Sequence, residues 1–297
     1  MSLIRQGFRN LRSNAVLVYG LYLGKLGLAI IFTFPIFVMT NGALSQSSYA
    51  RPLLREWSLD VFIELTHAVP NVFTTMVVVL MFYLVLAFVV KQFINGGIYR
   101  SLSQRRRLTG RDFFAASGEL FVANLKISLL MAAIYLVLGL TALMLGSLVP
   151  EQPFRRFGFV SLVPGLLRIA LLYVFFILGT ILSDLSRLRM AVGSTQSLRD
   201  VFRSGWEIYR THFVQLIGVY YLYFIPFALV WVVIELLALQ VTGSMSGLIG
   251  VVIELVLFQI CSFLRTGQSL LATATFACVG TDEQGSNSIA DLQRRPE

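Results

Sequence analysis

Four ionisable residues lie inside apolar stretches of this chain: Lys25, Arg168, Glu235 and Glu254. A charge at membrane depth is costly. Such a residue marks a substrate, ion or proton path unless it is paired within the structure or reaches water. Glu235 and Glu254 are equidistant, within a residue, from Ser244 in a Gly/Ser-rich turn, so they sit at similar depth. Facing each other, the two carboxylates would form a titratable pair, and Arg168 is placed to neutralise them. The alternative is that each carboxylate reaches water at the outer interface. Lys25 lies about 15 Å of helix rise into the first apolar run. Its stem is long enough to carry the ammonium back to the surface or to a structural partner. Asp184, Arg187 and Arg265 border the inner surface and read as helix-end anchors.

No catalytic signature accompanies these residues. The two histidines, His67 and His212, fall on opposite sides of the membrane, so they cannot ligate one metal or haem. Cys261 and Cys278 lack paired spacing and read as small buried apolar side chains. Gly96 and Gly97, near Arg100, read as the stop of the second span rather than as a phosphate-cradling loop. The expectation is a protein that is not an enzyme, with no cofactor and no metal site.

The elements that must carry these residues follow from composition. Of 297 residues, 57% are hydrophobic and 13% charged, against about a quarter charged in soluble domains. Apolar runs of the length needed to cross a bilayer as helix recur at about 15–40, 71–94, 120–149, 160–183, 213–239 and 248–279. Alternation of period two is absent, which disfavours a β-barrel. The fold class is therefore all-α: a polytopic membrane protein with six transmembrane helices and interfacial amphipathic helices. Residues 1–281 form one transmembrane domain, and 282–297 a short polar cytoplasmic tail. Pro35 and Pro226 should kink the first and fifth spans. Gly20, Gly24 and Gly27 suit close packing of the first span, within the fold or against a partner.

The net charge of +9 would point to nucleic acid in a soluble protein. Here the basic residues border the spans, so the partners expected are anionic lipid headgroups on the cytoplasmic side, with a membrane protein partner and no nucleic acid. Sixteen Lys and Arg residues fall on the side of the termini and four on the other. That asymmetry puts both termini in the cytoplasm of a multi-pass protein of the bacterial inner membrane.

Residues 197–222 show how helix and membrane meet. Leu198, Val201, Phe202, Gly205, Ile208 and Tyr209 make one helical face, with Arg199, Arg203, Glu207 and Arg210 opposite. Ser197 and Asp200 resemble a capping box. The expectation is a helix on the headgroup boundary that turns into a span, with Arg111, Arg199, Arg203, Trp206 and Arg210 contacting lipid. A second kind of surface helix is expected at 52–68 on the outer side. The inner device repeats. A shift of 88 brings Thr109, Arg111, Asp112, Phe114 and Asn124 onto Ser197, Arg199, Asp200, Phe202 and His212. Asn95 and Arg100 fall on Asp184 and Arg189 at a shift of 89, and Arg5, Gly7 and Arg12 align with Arg203, Gly205 and Arg210. Three units of about 1–98, 99–186 and 187–281 are expected, each of surface helix and helix hairpin.

The segments VFRSGWEIYRTHFVQL and NGGIYRSLSQRRRLTGRDFF resemble the membrane domain found beside some bacterial glycerophosphodiester phosphodiesterases, and its stand-alone six-span relatives. The resemblance implies a fold and a location. The catalytic barrel of that family is missing, so it implies no catalytic residue. Two functions lead, ahead of a weaker third, a membrane enzyme acting on lipids for which only Glu235 with Glu254 qualify. One is a non-catalytic scaffold or accessory subunit contacting lipid and other membrane proteins. The other is transport, as the membrane subunit of an exporter with a separate ATPase or as a secondary carrier.

Overall fold

The computed structural model describes residues 2–44, 71–147, 163–193, 197–244 and 248–293. The expected helix at 52–68 and the outer loop at 150–159 lie outside these residues. Eight helices account for nearly all of the described chain, and no strand occurs in it. They are α1 (Ser2–Ser13), α2 (Ala15–Leu44), α3 (Asn71–Ser103), α4 (Gly110–Ser147), α5 (Val163–Val192), α6 (Leu198–Thr211), α7 (Phe213–Ser244) and α8 (Leu248–Gln293). Six of them, all but α1 and α6, are long and apolar enough to cross a membrane.

Several helices outrun a bilayer. The 38 residues of α4 rise about 57 Å, against about 30 Å of hydrocarbon. The second span does not stop at Gly96-Gly97: α3 runs through both glycines to Ser103. Beyond it Arg105 takes a left-handed φ of 52° and turns the chain, and its guanidinium donates to the carbonyl of Cys278 (3.4 Å). The glycines serve packing instead. A Cβ at Gly96 would lie 2.9 Å from both the Ala116 carbonyl oxygen and Ser117 Cα, so backbones approach there as only glycine permits. Helix α8 likewise continues past residue 279 to Gln293, where the sequence reading places a polar tail. Pro35 and Pro226 are accommodated inside α2 and α7.

The caps are where the pattern places them. Ser197 has extended backbone (φ −64°, ψ 151°), and its hydroxyl accepts from the Asp200 amide at 3.3 Å. The same contact recurs 88 residues earlier, where the Asp112 amide donates to Thr109 Oγ1 at 3.2 Å. Each aspartate also sits in the first turn, where the helix dipole favours negative charge. The three entries to the spans differ, however. Helix breaks at Asn14 and at His212, but α4 runs unbroken from Gly110 past Asn124. The middle surface helix is thus the first part of a span.

The chain divides into two compact units. One comprises Met1–Ser13, Gln92–Val219 and Thr273–Glu297, the other Asn14–Lys91 and Tyr220–Ala272.

In the first unit three close contacts join spans to amphipathic helices. The Gly97 amide donates to Ser117 Oγ at 3.2 Å. Ser186 faces Gly205, where an added Cβ would lie 2.9 Å from Ser186 Oγ. Thr275 faces Gly7 still more closely. Each joint pairs the end of one span with the amphipathic helix of the next unit, and the last closes on the first. This contact buries the apolar stripe of α6. Val201 and Ile208 are 0% and 2% exposed, so the stripe is a packing face on protein rather than a lipid face. Each such side chain is worth about 1.5–3 kcal/mol of apolar burial.

In the second unit, Phe32 of α2 packs on Phe82 and Tyr83 of α3, with ring centroids 5.8 and 5.1 Å apart. Tyr19 and Tyr22 of α2 pack on Phe263 of α8, both at 5.4 Å. Ile30, Phe34, Val85, Leu229, Leu236 and Leu255 are exposed. Large apolar side chains left outward on helices of this length suit a lipid surround.

Candidate functional site

The densest polar arrangement is in the first unit, on three helices. Arg187 of α5 is its centre. Nη2 donates to Ser128 Oγ of α4 at 2.7 Å, and Nη1 to the Tyr99 hydroxyl of α3 at 3.4 Å. Each hydroxyl passes its own proton on. Ser128 Oγ donates to Gln92 Oε1 at 2.6 Å, and Tyr99 Oη donates to Asp184 Oδ1 at 2.6 Å. Asp184 lies one turn before Arg187, with an N–O distance of 3.8 Å, and the Tyr99 ring lies 5.8 Å under the guanidinium. The two charged side chains are 11% and 16% exposed. A donor-only guanidinium therefore feeds two hydroxyls, and these end on an amide oxygen and a carboxylate.

The surroundings are polar as well. Asn124 Nδ2 donates to the Gln92 carbonyl at 3.5 Å, and Arg100 Nη1 donates to the Ala191 carbonyl at 2.7 Å. Asn10 Nδ2 of α1 reaches the Leu102 carbonyl at 2.9 Å. Asn95 and Asp184, paired by the repeat, are not chemically alike, and Gln92 and Tyr99 have no polar counterpart one unit on: Ile181 and Leu188 stand there. The network is thus one place where the aligned segments differ. It fastens three helices to one another.

The sequence reads Asp184 with Arg187 as helix-end anchoring and does not single out Gln92, Tyr99 or Ser128. The available signal was a glutamine and an asparagine, Gln92 and Asn95, in an otherwise apolar segment.

The residues singled out at membrane depth fall elsewhere. Lys25 Nζ donates to Thr266 Oγ1 at 3.0 Å. Glu235 Oε1 accepts from Trp231 Nε1 one turn earlier on the same helix, at 2.8 Å. Glu254 is half-buried on α8. Among the described residues, no hydrogen bond or ion pair joins Lys25, Glu235 and Glu254. Arg168 belongs to α5, but its side chain lies outside the described residues. No group of three or more His, Cys, Asp or Glu residues suited to a metal occurs among the described residues.

On the amphipathic helices, Arg111, Arg199, Arg203, Trp206 and Arg210 all point outward, Trp206 with 52% of its surface exposed. Arg203 Nε pairs with Glu207 at 3.2 Å. Trp206 stacks on Tyr209, whose phenol burial pushes above its ordinary pKa. The stripe of Gly20, Gly24 and Gly27 meets nothing: a Cβ at any of them has no neighbour within 4 Å from elsewhere in the described chain.

The architecture defines a class, a multi-pass α-helical membrane protein. Comparison with family models, curated proteins and solved structures finds no match for this chain.

Proposed function

We propose that this protein is a non-catalytic scaffold or accessory subunit of the bacterial cytoplasmic membrane, with both termini in the cytoplasm. The observation that carries this reading is the closed set of joints, Gly97 to Ser117, Ser186 to Gly205 and Thr275 to Gly7, backed by the Arg187 network. Arg187, Tyr99, Ser128, Gln92 and Asp184 bond to one another, while Arg187 Nε and Asn95 Nδ2 are buried without a partner, and the basic, Trp206-bearing faces are left outward for anionic headgroups and a partner. The fold that the resemblance to phosphodiesterase-associated membrane domains implies is compatible with such a role.

The test is purification of the tagged protein from native membranes in mild detergent, followed by mass spectrometry of what stays bound. The reading expects a stoichiometric membrane protein partner. Recovery of the chain with one enriched solute and no protein partner would overturn it in favour of transport.

A further inference from the structure

Helices α1 and α6 present the same set of side chains outward. The segments RQGFRNLR, from Arg5 to Arg12, and RSGWEIYR, from Arg203 to Arg210, share Arg, Gly, an aromatic residue and Arg at the same four places. Gly7 and Gly205 face protein, against Thr275 and Ser186. Asn10 is buried on the same side of α1, with Nδ2 on the Leu102 carbonyl at 2.9 Å. At about 100° per residue, Arg5, Phe8, Arg9 and Arg12 fall within one arc of about 100° on the far side of the helix. All four are exposed, Phe8 by 59%. Arg203, Trp206 and Arg210 are exposed in the same way on α6.

Helix α4 lacks this set. In the register that lays Ser117 on Gly205, Ala115, Gly118 and Val122 stand at the places of Arg203, Trp206 and Arg210. The difference follows the backbone. Helices α1 and α6 each end at a break, Asn14 and His212, immediately before a span, whereas α4 runs on into its own span. A helix lying beside the entry of a span needs side chains that hold it at that level, and arginines around an aromatic ring do so at the headgroup boundary. A helix continuous with its span is held by the span.

The charge of the two faces differs. No acidic residue occurs in the first 55 residues, and among the described residues no carboxylate pairs with Arg5, Arg9 or Arg12. On α6, Glu207 stands at the place of Arg9 and pairs with Arg203 at 3.2 Å. The α1 face is therefore the more positive.

We propose that Arg5, Phe8, Arg9 and Arg12 form a binding face for anionic phospholipid headgroups, with α6 as a weaker copy. The guanidiniums donate to lipid phosphate oxygens, and Phe8 enters the boundary between headgroups and acyl chains. The aromatic residue at the same place in both copies, next to a span in each, favours a lipid surface over a soluble acidic partner. The proposal rests on the headgroup contact proposed above, and adds the α1 site and the order of strength.

The test uses full-length protein in lipid nanodiscs, with Trp57→Phe and Trp231→Phe, and reads tryptophan fluorescence. One form keeps Trp206; the other carries Trp206→Phe with Phe8→Trp. Phosphatidylglycerol brominated in the upper acyl chain is the probe, and phosphatidylcholine brominated alike is the control. Both forms should be quenched more by phosphatidylglycerol, and the preference should be larger in the Phe8→Trp form. In that form Arg5→Gln, Arg9→Gln and Arg12→Gln should each lower the preference, by up to about fivefold per cation removed. These arginines point away from the Gly7 contact, and the Phe8→Trp form by itself carries the test if an arginine variant does not fold. Quenching by aqueous acrylamide and not by brominated lipid would overturn the proposal and assign the face to a soluble partner. Equal quenching by the two lipids, unchanged in the arginine variants, would overturn it as well. Neither result alters the recovery of a membrane protein partner, so this proposal and the scaffold reading can fail separately.

Discussion

Thr275 of the last helix lies directly against Gly7 of the first. The contact is the third of a series, because 275, 186 and 97 are evenly spaced along the chain and each meets an amphipathic helix. At Gly97 and Ser117 the glycine is on the span and the serine on the partner; at Ser186 and Gly205 the roles are exchanged. Gly205→Ser alone should therefore place two hydroxymethyl groups in a space built for one and cost about 1–3 kcal/mol. Ser186→Gly/Gly205→Ser, which copies the first joint, should recover to within about 1 kcal/mol of the parent, the helix cost of the new glycine. Thermal unfolding of the three variants in one detergent checks this. Equal loss in the single and the double variant would show that the joints are not equivalent.

Glycines of α3 and α4 should respond to alanine with opposite signs. At Gly96 the added Cβ meets backbone of the neighbouring helix, the Ala116 carbonyl oxygen and Ser117 Cα, both at 2.9 Å. Backbone cannot rotate away, so Gly96→Ala should destabilise by about 1–3 kcal/mol. At Gly118 nothing lies within 4 Å, and Gly118→Ala should stabilise by up to about 1 kcal/mol through helix propensity. Unfolding midpoints of the two variants measured side by side decide the matter.

The Arg187 network should behave as a unit. Tyr99→Phe removes one donor to Asp184 and should cost about 1–3 kcal/mol. Arg187→Met leaves Asp184 with its charge poorly matched and should cost about 3–5 kcal/mol. Asp184→Leu/Arg187→Met, which removes both charges, should be less damaging than Arg187→Met alone. A double-mutant cycle in detergent measures the coupling. Strict additivity of the two single changes would mean that the charges do not interact.

Much of the fold is legible in the residues. Apolar run length locates six spans, and a hydroxyl three residues before an aspartate locates the starts at Thr109 and Ser197. Ser117 and Gly205, 88 residues apart, each take part in a close contact between helices of the first unit. Other features escape linear reading for physical reasons. An amphipathic stripe looks the same whether lipid or protein covers it, so the burial of Val201 and Ile208 on protein was not readable from spacing. Gly96-Gly97 has the composition of a helix stop, and only the approach of α4 reveals why glycine stands there. The Arg187 network draws its members from three helices, so no local pattern announces it. Helices longer than a bilayer carry residues such as Arg187 beyond their apolar run, where polar groups of neighbouring helices hold them.

On the scaffold reading the three joints form a fixed platform rather than a gate. Hydrogen exchange of the intact protein in lipid nanodiscs, read by mass spectrometry on peptides covering Gly7, Gly97, Gly205 and Thr275, tests it most directly. A fixed platform gives slow exchange with a single isotopic envelope in all four peptides. Paired envelopes that interconvert together over seconds to minutes would mean that the ring opens as a unit, which is the behaviour of an alternating carrier and would contradict the scaffold reading.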